Sequence, residues 1–159
     1  MIGTSLSAPA VDVEFQLCCD HESLDLARAG AIWGGAWIEL RGEAFPEPGW
    51  NDMAVAFTGD LVDALASFMQ GRKRSCRIRF YDGPFWVGLG PSGPGEVLVS
   101  RGESDKEKAQ VLLSDEAVVQ GVRSNASALL DACWARQWGD NPDVVRLARA
   151  LKSLDGQGD

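Results

Sequence analysis

The stretch RIRFYDGPFWVGLGPSGPGEVLVSRGE, Arg77 to Glu103, decides the fold. Inside it GLGPSG matches the glycine pattern of dinucleotide-binding loops. Such a loop comes after a strand and opens a helix, whose free N–H groups hold a pyrophosphate. Phe85 to Leu89 can supply the strand, but the residues after Leu89 cannot form the helix. Pro91 and Pro94 each lack an N–H donor, and Gly95 loosens the chain further. Glu96 to Arg101 then alternates with the period of a strand, Val97 and Val99 on one side and Leu98 on the other. No acidic residue arrives in a strand–helix–strand setting downstream. Gly88, Gly90, Gly93 and Gly95 are therefore read as hairpin residues, and the class is α+β with antiparallel pairing.

Working outward, Cys76, Ile78 and Phe80 alternate with Arg77, Arg79 and Tyr81, and Asp82-Gly83-Pro84 makes a turn into Phe85. This predicts a meander of three strands. Ala109 to Leu113 reads as one more strand, after a charged loop Arg101–Lys108. Upstream, Val11, Val13, Phe15 and Leu17 alternate with Asp12, Glu14 and Gln16, and Ala36, Ile38 and Leu40 alternate with Trp37, Glu39 and Arg41. Gly34 and Gly35 suggest a bulge or turn. A short helix is expected over Ser23–Ala29. Phe57, Leu61, Leu65, Phe68 and Met69 share one helical face, with Thr58 or Asp60 placed to cap it and Gly71 to end it. Ser114 caps a helix running to Trp138. Asn141, Pro142 and Asp143 open another. The expected architecture is one antiparallel sheet of about five or six strands, a helix inserted mid-chain, and two C-terminal helices packed on a face. It fills a single domain over 11–154, with flexible tails at 1–10 and 155–159.

The chain has 159 residues and a formal net charge of −8. That length buries a core unaided. The acidity repels phosphate backbones, so no nucleic-acid partner is expected, while a basic protein partner is favoured. No apolar run approaches the roughly 18 residues of a membrane span. The N-terminal stretch lacks a basic start followed by an apolar block, so no secretory signal is expected and the site of action is read as the cytoplasm.

The four cysteines contain no CxxC and no zinc spacing. In Cys18-Cys19-Asp20-His21 the neighbouring strand side chains diverge, which makes a poor metal site. His21 is the single histidine, so any Ser–His–Asp or Cys–His arrangement must use it. No GxSxG elbow and no Gly-Lys-Ser/Thr loop is present. No catalytic residue, cofactor or metal is expected.

Tryptophan is abundant, at six residues. Trp134 and Trp138 share a helical face. Trp37 and Trp86 stand opposite the apolar sets of their strands, where aromatic side chains serve as interface anchors. The candidate partner-binding residues are Glu47, Trp50, Asp52, Tyr81, Asp82 and Trp86, read as exposed carboxylates around tryptophans.

Two of these segments carry a resemblance. FPEPGWND (Phe45–Asp52) and FYDGPF (Phe80–Phe85) resemble a family of small uncharacterised bacterial proteins with an FPxxGWxD-like segment and an F-x-DGP-aromatic turn. Its members are similar in size and architecture to the immunity proteins of bacterial polymorphic toxin systems. The resemblance covers roughly residues 37–99 and carries no catalytic residue over. It implies a non-catalytic, acidic protein-binding module of the bacterial cytoplasm that masks a basic toxin domain. Two alternatives stand beside it. One is a homo-oligomeric structural or regulatory domain. The other is a small-ligand binder or enzyme with a site near His21, Cys18 and Cys19.

Overall fold

The computed structural model describes residues 14–156. The expected strand start at Val11 and Val13, and the tails 1–10 and 157–159, lie outside the described residues. The protein is α+β, but its strands form two four-stranded antiparallel sheets, where one sheet of five or six was expected.

The first sheet is built on a long hairpin of β1 (Phe15–Leu26) and β2 (Ile32–Leu40). The helix expected over Ser23–Ala29 is absent, because β1 continues to Leu26 and then turns. The register slips between Asp20 and Asp25, where extra β1 residues bulge over Gly34. A Cβ on Gly34 would sit 2.9 Å from Leu24 Cδ2, so the glycines do mark a bulge, though it lies on the partner strand. The far side of β2 is covered in two pieces, β3 (Glu43–Phe45) and β4 (Asn51–Asp52). They are one edge strand broken by the loop Pro46–Trp50, whose Phe45–Pro46 peptide is cis. Two prolines and a glycine in five residues cannot keep a ladder.

Helix α1 (Ala54–Met69) comes directly after β4. It starts earlier than the Thr58 or Asp60 cap predicted. Met53 is the N-cap residue without a side-chain bond, and Thr58 is buried inside the helix. Gly71, at φ 77°, ends it as expected. The second sheet is the meander β5 (Cys76–Arg79), β6 (Phe85–Pro91), β7 (Glu96–Glu103) and β8 (Lys106–Ser114), in that order. The glycine-rich match falls at the β6–β7 hairpin. The charged segment after Arg101 is not a loop. It is the β7–β8 turn at Ser104–Asp105, flanked by paired strand residues.

Helix α2 (Asp115–Ala135) is capped by Ser114, whose hydroxyl accepts from the Ala117 N–H at 3.1 Å. It lies against β1 so closely that a Cβ on Gly121 would fall inside the Phe15 carbonyl. Asn125 donates to the Leu17 carbonyl at 2.6 Å in the same contact. Helix α3 (Pro142–Leu154) opens on the Asn141 side chain, which accepts from the Asp143 N–H at 2.9 Å. It packs on α1 and α2, so only α2 meets the expectation of a C-terminal helix on a sheet. Of the expected tail, Asp155 is held. It caps α3 and pairs with Arg123 at 2.7 Å.

One apolar cluster draws from both sheets and all three helices, with Phe15, Leu17, Phe57, Leu61, Leu129 and Leu147 fully buried. Burial of side chains this size stabilises by about 1.5–3 kcal/mol each. Aromatic contacts join the two sheets. Phe45 on β3 meets the edges of Phe80 and Phe85, at 6.1 and 5.6 Å between centroids. Arg101 on β7 reaches back to Glu43 at 3.1 Å.

Candidate functional site

The two segments that carry the resemblance meet at a single carboxylate. Asp52 is 0% exposed. Its Oδ1 accepts from the Met53 N–H at 2.6 Å and the Tyr81 N–H at 3.1 Å. Its Oδ2 accepts from the Trp50 indole N–H at 3.0 Å and the Asp82 N–H at 3.3 Å. A buried carboxylate persists only when its lone pairs are met, and here four donors meet them. Asp52 thus fastens the Phe45–Asp52 loop to the Phe80–Phe85 turn. Trp50 packs edge-on against Phe85 at 5.3 Å. Phe80 stacks on Phe57 of α1 at 4.1 Å. Gly83, at φ 75°, lets the turn close under these rings, since a Cβ there would meet Phe85 at 2.9 Å.

Five of the six candidate residues are gathered at this corner, four of them at its surface. Glu47 and Asp82 are exposed, Trp50 is half-buried, and Tyr81 is 47% exposed. Asp52 belongs to the corner but is withdrawn from its surface, because it serves as the internal anchor. Trp86 is withdrawn too, at 2% exposure. Alternation does place it on the outer face of the second sheet, but three neighbours seal it there. The Arg77 guanidinium lies 3.7 Å above the ring. Gly102, directly opposite on β7, leaves the space the indole fills. The indole N–H donates to the Ser104 carbonyl at 2.7 Å. A glycine inside a strand was the sequence signal for this close approach.

Beside the corner, a cleft of about 450 Å³ opens between α1 and β5. Sequence reasoning missed it. Tyr81 stands at its mouth, and its hydroxyl donates to Asp60 Oδ2 at 2.7 Å. Asp60 also pairs with Arg146 of α3, which reaches Asp63 at 3.5 Å. Partial burial, then the Asp60 hydrogen bond and charge, push the Tyr81 phenol up to about 12. No local pattern announces this arrangement, because Asp60, Tyr81 and Arg146 come from three distant segments.

The His21 region does not assemble an activated nucleophile. Cys18 and Cys19 point to opposite faces. Cys19 Sγ lies 3.9 Å from Thr58 Oγ1 of α1, while Cys18 lies on the Glu39 side. Burial raises both thiols, Cys18 to about 11 with help from Glu39 and Cys19 to about 12. Burial likewise raises Cys133 to about 11. At neutral pH they are thiols, and the thiolate is the reactive form. His21 Nε2 is buried without a hydrogen-bond partner. Among the described residues, no three His, Cys, Asp or Glu side chains gather as a metal site, and no helix is long and apolar enough to cross a membrane. No protein-family model, curated protein or solved structure matches this chain.

Proposed function

We propose that the chain is a non-catalytic protein-binding module of the bacterial cytoplasm, of the immunity type, which docks on a basic partner. The contact surface is the corner formed by Glu47, Trp50, Tyr81 and Asp82. The observation that carries this reading is the fastening of two exposed segments, 29 residues apart, by one buried carboxylate. A surface held this way loses little freedom on docking, and that lowers the cost of association. Tyrosine and tryptophan supply contact area at such anchors. Glu47 and Asp82 supply charge that steers a basic surface toward them, helped by the net charge of −8. The four free cysteines suit a reducing compartment.

The test is affinity capture from bacterial lysate by the intact chain and by a Glu47→Lys/Asp82→Lys variant. Both sites are exposed, so melting should agree within about 0.5 kcal/mol of stability. A basic protein should be held by the first and released by the second. Retention of the same protein by both, or of none by either, overturns the proposal.

A further inference from the structure

The cleft between α1 and β5 has the opposite electrical character from the corner beside it. Lys73, Arg79 and Arg146 line it, and a neighbouring groove of about 500 Å³ adds Arg72, Arg149 and Lys152. Arg146 is neutralised by Asp60 and Asp63. Among the described residues, the other five have no carboxylate within ion-pairing distance. A chain with 23 acidic side chains against 15 basic ones therefore leaves unpaired cations crowded on one face.

The backbone adds a second, independent feature. Among the described residues, β5 is an edge strand, paired only with β6. Phe80 donates its N–H to the Phe85 carbonyl, so pairs of the same parity bond across the ladder. Ile78 with Val87 is such a pair, whereas Arg77 and Arg79 occupy the alternate positions, where N–H and C=O point away from β6. Tyr81 obeys the same alternation, and its outward N–H is the one Asp52 takes. Among the described residues, no hydrogen bond beyond the strand ladders uses the outward groups of Arg77 and Arg79. The Arg77 side chain lies on Trp86, so Lys73 and Arg79 supply the charge at this edge.

We propose that this cleft receives a short acidic peptide segment of a protein partner, laid along the free edge of β5. The acidic side chains meet Lys73, Arg79 and the α3 cations, and the peptide's own backbone pairs with Arg77 and Arg79. Free carbonyls on the edge need donors, which a polypeptide offers and a phosphate backbone lacks. Asp60 and Asp63 on the cleft wall further oppose a continuous polyanion. The surface adjoins the corner proposed for a basic partner at Tyr81, but its cations and its free strand edge belong to other residues, so either can fail alone.

The experiment uses a fluorescein-labelled decapeptide of alternating Glu and Val. It is compared with the same peptide N-methylated at alternate residues and with a labelled dT decamer, by anisotropy on the full chain. Amide exchange at Arg77 and Arg79 is read in parallel. Expected results are peptide binding that weakens with salt, about tenfold loss in Lys73→Glu/Arg79→Glu, similar loss on N-methylation, and slowed exchange at both amides. Absence of binding, undiminished binding of the N-methylated peptide, unchanged amide exchange, or tighter binding of the oligonucleotide overturns the proposal.

Discussion

The Asp52 corner and the α1–β5 cleft share one residue, Tyr81, and are built on opposite terms. Tyr81's backbone N–H belongs to the corner, where it meets a carboxylate that is 0% exposed. Its hydroxyl belongs to the cleft, where it meets a carboxylate at the surface that also serves Arg146. In the corner every oxygen of Asp52 is met by fixed donors and aromatic rings close over the top. In the cleft the ion pairs are half in water, and among the described residues the neighbouring cations have no carboxylate within ion-pairing distance. The same chemical pair, carboxylate and donor, therefore carries fold stability in one place and leaves a surface free to bind in the other. Burial makes the difference, because an unmet group costs little in water and much inside.

The largest effect should come from breaking the buried side. Asp52→Ala strands two backbone N–H groups of the Tyr81 turn, that of Met53, and the Trp50 indole. A loss of about 4 kcal/mol is expected by denaturant unfolding. Asp52→Asn keeps the shape but sets an NH₂ against donors, and should lose about half as much. If Asp52→Ala melts like the parent, the corner is not held as described. Next comes the sealed flank. Gly102→Ala drives a methyl into the Trp86 indole and toward the Lys106 carbonyl, so about 3 kcal/mol should be lost and tryptophan emission should shift to the red. An unshifted spectrum at parental stability would mean that Trp86 has room to move.

These two positions also show what the sequence can and cannot reveal. Alternation correctly places Trp86 on the outer face of its strand. Its burial depends on Gly102, sixteen positions on, and on a cation from β5, and period-two reading sees neither. Asp52 looks like a surface carboxylate because its loop is rich in proline and glycine. Its role appears only when the Tyr81–Asp82 turn folds against it. Local signals fared better. Ser114 and Asn141 cap their helices because the capping bond lies within three residues, and the glycine-rich match resolves as a hairpin because proline lacks a donor wherever it sits. The split into two sheets was not legible. Alternation reports which face a residue takes, not which strand it pairs with. β3 and β4, at three and two residues, are too short to show alternation at all.

On the exposed side the effects should be small. Arg146→Ala removes pairs to Asp60 and Asp63 from a side chain that is itself about half in water. The expected loss is under about 1 kcal/mol, and it should shrink further at high salt. A loss approaching that of Asp52→Ala would erase the contrast between the two regions.

The finest probe is Tyr81 itself, because it is the chain's one tyrosine and its ionisation can be followed by absorbance without interference. Partial burial and the bond to Asp60 hold the phenol up to about 12. The folded state thus keeps its proton more tightly than the unfolded chain, where tyrosine titrates near its ordinary value of about 10. The stabilising contribution is complete below that value and fades as pH rises through the window between the two. Asp60→Asn removes the charge and weakens the acceptor, so the midpoint should fall. Arg146→Ala removes a nearby cation, so the midpoint should rise. Opposite displacement by two neighbours of one hydroxyl is a signature that general loosening cannot mimic, since loosening would move both variants down. Equal downward shifts would place the Tyr81 hydroxyl in open solvent, and the cleft would lose the group that joins it to the corner.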